Sequence, residues 1–208
     1  MKKLLILLFS LLFLSSPSVF ADDISDFEIE GISIGDSLLD YMTEDEILKE
    51  IERTKDFYLH LNEPNEYAEV YLYKKLKTYD VVSFIVKTSP SNEFITNKNE
   101  KYTILAIYGS LDFTGDFDNC FVKRNQIALK LSELFPNSEK RETIFKHGAD
   151  SSGRSIVDAI YFDYDSGDGF EASCSDLEET LRIKRNWSDV LYVAIKSEEA
   201  RSWMRNKN

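Results

Sequence analysis

The sequence predicts an α+β fold, a mostly antiparallel sheet with a central amphipathic helix and with terminal helices packed on it. Three observations lead there. Short segments of apolar–polar alternation recur and are separated by turn residues. One segment, 120–135, carries an apolar stripe of helical period. Helix-start signals stand near both ends, so runs of strands alternate with single helices rather than in a regular βαβ order.

Taken in order, residues 22–33 read as extended, with Phe27, Ile29 and Ile32 as apolar positions. Gly35, Asp36 and Ser37 open a short helix through Tyr41. Thr43 and Glu46 have the spacing of a capping box, in which hydroxyl and carboxylate each take an otherwise unpaired amide. The helix they open runs to about Arg53. Residues 57–61 are a short candidate strand. Segment 67–73 alternates Ala68, Val70 and Leu72 against Tyr67, Glu69, Tyr71 and Tyr73, and pairs across a lysine turn with 79–87 as a hairpin. Residues 79–87 are apolar on both faces, as in a central strand. A polar loop over 89–101 leads to a strand at 102–111. In the helix at 120–135 the stripe is Ile127, Leu131 and Leu134, widened by Ala128 and Phe135; Asp118 or Asn119 caps it and Pro136 ends it. Strands follow at 143–146, 155–164 and 170–174, the last two joined by Ser166-Gly167-Asp168-Gly169, and then at 190–195. Ser197 caps a C-terminal helix. Ala106-Ile107-Tyr108 leading to Cys120 and Ala159-Ile160-Tyr161 leading to Cys174 form a faint internal echo, read either as a duplicated unit or as coincidence.

The N-terminus reads as an export signal. Lys2 and Lys3 precede an apolar run from Leu4 to Leu14, Pro17 closes the run, and Val19 and Ala21 occupy the −3 and −1 positions of a cleavage site. About 11 residues at 1.5 Å each fall short of a bilayer core of about 30 Å. The expected organisation is a signal peptide, 1–21, and a single α+β domain, 22–208, in the periplasm, with no membrane insertion after cleavage. Loss of Lys2 and Lys3 takes the formal charge from −12 to −14. That balance disfavours nucleic acid, whose binding depends on Lys and Arg neutralising phosphates, and disfavours anionic lipid. In an oxidising compartment Cys120 and Cys174 read as a disulfide, with separate buried thiols as the alternative; no C-x-x-C spacing supports a redox pair.

Ile34-Gly35-Asp36-Ser37-Leu38 resembles the first block of the GDSL esterase and lipase family, whose serine is a nucleophile. That chemistry also needs a histidine and an acid to orient it. The family's Gly-x-Asn-Asp and Asp-x-x-His blocks are absent, and the residues three places before His60 and His147 are Phe57 and Ile144. Asp163, Asp165 and Asp168 are the calcium candidates, read against an acidic hairpin tip; EF-hand spacing is off by one, and Cys174 stands where a bidentate glutamate belongs. Asp112, Asp116 and Asp118 form a second acidic loop. No zinc or nucleotide motif is present, so no cofactor is expected. Tyr67, Tyr71 and Tyr73 with Lys74 and Lys75 are the ligand-binding candidates, an aromatic face beside cations; the alternative is a half-buried sheet face under a helix.

The stretch from Phe27 to Tyr41, the Asp118-Asn119-Cys120 helix start and the late Cys174 resemble a group of small exported proteins from marine bacteria that have no assigned activity. The resemblance implies a periplasmic α+β domain and transfers no functional residue. The expected function is non-catalytic binding of a small ligand or an envelope protein. The alternatives are an envelope assembly or inhibitor-like interaction module and a hydrolase using Ser37.

Overall fold

The structure, a computed structural model, describes residues 24, 27–56, 66–74, 76–88 and 100–206. The signal segment, the candidate strand at 57–61 with His60, Lys75 and most of the 89–101 loop lie outside the described residues. In chain order the elements are β1 (Glu28–Ile29), β2 (Ile32–Ser33), α1 (Glu44–Thr54), β3 (Tyr67–Leu72), β4 (Val81–Lys87), β5 (Thr103–Asp112), α2 (Phe117–Leu134), β6 (Glu139–Lys146), β7 (Ile156–Asp163), β8 (Gly169–Asp176), α3 (Glu179–Arg185), β9 (Val190–Lys196) and α4 (Glu198–Asn206). Strands β3 to β9 form one antiparallel sheet in the order β3-β4-β5-β9-β8-β7-β6. The α+β class holds.

Because strand side chains alternate, the register sorts the sheet into two unlike faces. One carries Val70, Phe84, Ile107, Val193, Cys174 and Phe162, and is the main core. Helix α2 packs on it against β8 and β9, as does the N-terminal segment with Ile29, Ile32 and Leu38. Cys120 in the first turn of α2 is bonded to Cys174 on β8, with both sulfurs fully buried and Cα atoms 6.0 Å apart. The other face is met at one end by α4. There Ala200 and Trp203 pack on Ile85, Ala106 and Leu105, the last being the extra residue of a bulge in β5.

Local chemistry explains the ends. In the β1–β2 hairpin, Glu30 and Gly31 both have positive φ (59° and 78°), as a type I′ turn requires. The predicted capping box is complete, with the Glu46 amide donating to Thr43 Oγ1 at 3.3 Å and the Thr43 amide to Glu46 Oε2 at 3.0 Å. Ser197 takes the Ala200 amide at the start of α4. Ser37 is 3 % exposed; its hydroxyl donates to the Lys101 carbonyl at 2.7 Å and accepts the Leu39 amide, which makes it a cap holding the N-terminal segment against β5.

Two readings change, and one open alternative is decided. Helix α2 starts three residues earlier than expected, with Asp116 at the N-cap. Its buried stripe is Cys120, Arg124, Ala128 and Leu131, with Phe135 buried just after it, while Leu134 faces solvent. Hydropathy cannot count Arg124 as inward-facing. It is inward because its guanidinium meets Asp158 of β7 at 2.5 Å and the Asp158 carbonyl at 3.2 Å. Helix α3 has no sequence signal, since its seven residues bury none of their side chains and Ile183 is exposed. The internal echo does not repeat in space. Ala106 lies on β5, which leads into a helix, whereas Ala159 lies on β7, which turns back as β8.

Candidate functional site

Helix α1 lies along the edge strand β3, where Thr54 Oγ1 donates to the Glu69 carbonyl at 2.6 Å. This contact covers part of an otherwise open backbone edge. Beyond it, between the first half of α1 and the end of β3, is a cleft of about 230 Å³ lined by Tyr41, Met42, Glu46, Lys49, Glu50, Tyr71, Leu72, Tyr73 and Lys74. Tyr71 and Tyr73 stack at 6.0 Å with an interplanar angle of 12°. The Arg53 guanidinium lies 5.1 and 5.8 Å from the two ring centroids and donates to the Tyr73 hydroxyl at 3.0 Å. Glu50 also holds Arg53, at 2.7 Å.

The electrostatics of the lining are uneven. Both carboxylates are engaged internally, Glu46 by Thr43 and Glu50 by Arg53. Among the described residues Lys49 and Lys74 make no ion pair, although both are exposed. The rim therefore offers two uncommitted cations beside an aromatic shelf whose outer ring, Tyr73, is 55 % exposed.

Of the sequence candidates, Tyr71, Tyr73 and Lys74 come together in this cleft. Tyr67 does not join them. Its ring packs on Trp203 at 4.8 Å and its hydroxyl donates to Glu199 at 2.9 Å, so it serves the docking of α4. The acidic hairpin serves α4 too. Asp163 meets Arg201 at 2.5 Å, and Asp168 Oδ1 takes the Glu198 amide at 2.7 Å. Arg201 also donates to the Gly167 and Asp168 carbonyls at 2.7 Å, and Asp165 points to solvent. Gly169 makes room for this, because a Cβ there would stand 2.7 Å from the guanidinium. Among the described residues no three His, Cys, Asp or Glu side chains converge as a metal site. The second acidic loop lies at the other end of the sheet, since Asp112 pairs with Val190 while Asp163 pairs with Gly169 and so reaches Lys196.

Sequence reasoning missed a second polar feature, on the sheet face opposite α2. Register places Tyr71, Ser83, Tyr108, Ala194, Glu171, Tyr161 and Arg141 in one row across all seven strands. On this face Lys196 Nζ meets Glu171 Oε2 at 2.5 Å and lies 5.4 Å from the Tyr108 ring centroid, while Ser173 Oγ donates to Glu171 Oε1 at 2.8 Å. The two charged side chains are 15 % and 19 % exposed. Burial pushes the Glu171 carboxyl up, but the charge and hydrogen bond of Lys196, with Ser173, outweigh it and hold the group below the usual carboxylate range. Burial pushes Lys196 down, and Glu171 more than restores it. Burial raises the Tyr108 phenol to about 12. Glu69, nearby on β3, is 8 % exposed. Burial raises its carboxyl above the usual range despite hydrogen bonds from Tyr71 and Ser83. The alternation of β3 and β8 was the available signal, since Glu69 and Glu171 each stand between buried apolar neighbours.

No family model, curated protein or solved structure matches the chain.

Proposed function

We propose that this protein is exported to the periplasm, loses residues 1–21, and acts there by non-catalytic binding of a small ligand in the cleft between α1 and β3. The observation that carries the reading is the lining itself. A stacked tyrosine pair braced by Arg53 forms a rigid shelf, and the charges free to meet a ligand are the cations Lys49 and Lys74. The fitting ligand is a ring, sugar or aromatic, that stacks on Tyr73 and turns an anionic group toward the lysines. The buried disulfide, together with the lack of any helix among the described residues long and apolar enough to cross a membrane, is compatible with export.

The test is thermal unfolding of the mature chain against sugars, aromatic acids and other organic anions. A ligand at 100 times its Kd adds about 2.7 kcal/mol, a rise of roughly 5–10 °C for a domain of this size. Tyr73→Ala and Lys74→Ala each shrink that rise. A panel that leaves the midpoint unmoved overturns the reading. It would shift weight to an envelope protein partner, which the largely exposed edge strand β6, with Ile144 and Phe145 exposed, also favours. N-terminal sequencing of the exported protein tests the cleavage after Ala21.

A further inference from the structure

The two edges of the seven-stranded sheet are unlike. Edge strand β3 has α1 alongside it, with Thr54 Oγ1 on the Glu69 carbonyl. Edge strand β6 has no such cover. Seven of its eight residues are exposed, Ile144 at 67 % and Phe145 at 43 %. The strand is also regular, pairing with β7 without a break from Glu139 to Lys146. The His147 amide donates to the Ser155 carbonyl at 2.9 Å, which fixes the alternation of the ladder. Odd-numbered residues of β6 therefore turn their backbone groups toward β7, and Lys140, Glu142, Ile144 and Lys146 turn theirs outward. Among the described residues no backbone group meets these outward ones. Such an edge is a template for another strand unless its side chains prevent the pairing.

We propose that β6 pairs with β6 of a second copy of this chain, antiparallel and centred on Ile144. A two-fold axis normal to the sheet keeps each face on its own side, so residues that pair have numbers of the same parity. Centring on Ile144 sets that residue opposite itself and sets Glu142 opposite Lys146 twice. Lys146 makes no ion pair among the described residues, and Glu142, although it meets Lys140 at 2.7 Å, keeps 61 % of its side chain exposed. On the other face each Phe145 stands opposite Thr143 and diagonal to its own counterpart, at about 7–8 Å, within reach of an aromatic ring. Both exposed apolar side chains of the strand are thus covered. Other centres fail. Arg141 or Glu142 at the axis would face its own charge, Thr143 there sets Lys140 against Lys146, and Phe145 there sets Ile144 against Lys146. The assembly also closes at two copies, because both outer edges of the joined sheet are β3, which α1 flanks. This contact is separate from the proposed cleft and does not depend on it.

The contact is a strand edge and both copies are strongly acidic, so the dimer is weak and gains from salt, which screens their repulsion. The experiment is sedimentation equilibrium of the full mature chain at about 0.15 M salt. The mass rises toward twice the monomer's as concentration approaches about 1 mM. Ile144→Lys, which sets two like charges together at the axis, stays monomeric over the same range. Glu142→Lys lowers the affinity roughly tenfold, and adding Lys146→Glu restores it, because each pair re-forms with its signs reversed. Cross-linking reads the register. In Ile144→Cys the two Cα atoms stand about 5.5 Å apart, inside the range of a disulfide, so oxidation joins the copies. Glu142→Cys has no thiol opposite it and does not link. All these positions are exposed, so the variants keep the fold, and circular dichroism checks it. A monomer at every concentration overturns the inference and leaves the edge to a foreign strand. A dimer that survives Ile144→Lys overturns it too, as does a Glu142→Cys that links as readily as Ile144→Cys.

Discussion

The Glu171–Lys196 pair allows a direct test of why the open sheet face is polar. Removing one member of a buried ion pair leaves the other charge without compensation, which costs about 3–5 kcal/mol when both are fully buried. Here the side chains keep 15 % and 19 % of their surface in water, so solvent relieves part of the penalty and we expect about 2–3 kcal/mol for Lys196→Met alone. Glu171→Leu alone should cost at least as much, since it strands both Lys196 and the Ser173 hydroxyl. Replacing both residues removes both charges, and that variant should come within about 1 kcal/mol of the wild type or exceed it. Urea unfolding at pH 7 reads the four proteins, with a coupling of about 3–6 kcal/mol across the cycle, the two single losses together less the double. The pH matters because Glu171 sits below the usual carboxylate range. Its contribution is complete above the unfolded-state value and is lost as pH falls through the folded one. If either single variant lies within about 1 kcal/mol of the wild type, or the double variant loses the sum of the singles, the two charges do not act as a coupled pair. If the double variant is as stable as the wild type, stability does not account for keeping these charges.

Two further predictions concern the frame and the second acid. Replacing both Cys120 and Cys174 with alanine opens a loop of 54 residues. The chain-entropy model then gives a loss of about 4 kcal/mol, seen as a midpoint lower by roughly 8–16 °C; a loss below about 1 kcal/mol would mean that the reduced unfolded chain keeps the two ends together. For Glu69 the sign is opposite to that of Glu171. Its folded value is raised, so ionising it destabilises the fold, and stability contributed by this group falls as pH rises from the unfolded-state value through the folded one. Glu69→Gln should therefore unfold at higher denaturant than the wild type at pH 8, with the difference shrinking below pH 4; a variant weaker at both pH values would contradict this.

Features of the chain that rest on local chemistry are legible in the sequence alone. The Thr43–Glu46 box, the Ser197 cap and the Gly167 hairpin each need a few adjacent residues, and each stands where expected. The tyrosine strand is legible because alternation fixes which residues share a face, and Tyr71, Tyr73 and Lys74 do meet in one cleft. Tyr67 shares that face and still departs from it, because Trp203 arrives from 136 residues further along the chain. The same limit explains Arg124. Its partner Asp158 lies on a strand that no helical periodicity can see, so periodicity alone rotates the stripe of α2 toward Leu134. The aspartates of the β7–β8 hairpin are visible as a cluster, but their use depends on Arg201 and the amide of Glu198, which the fold alone brings to them.

Tyr71 joins the cleft to the buried acid Glu69, and its hydroxyl separates the two experimentally. The ring lines the cleft and stacks on Tyr73, while the hydroxyl hydrogen bonds to Glu69. Tyr71→Phe keeps the first contact and deletes the second. A hydrogen bond to a carboxylate favours its ionised form, so losing it should raise the Glu69 midpoint further, read by carbon-13 NMR of the side-chain carboxyl. A bond to a charged group is worth about 1.5–3 kcal/mol; since Ser83 remains as a donor, the lower end applies, a rise of roughly one pH unit. Ring ligands in the cleft should bind Tyr71→Phe as they bind the wild type, whereas Tyr73→Ala should weaken them and leave the Glu69 midpoint in place. If Tyr71→Phe leaves the Glu69 midpoint unmoved, the hydroxyl does not support the ionised acid and this reading of the face fails.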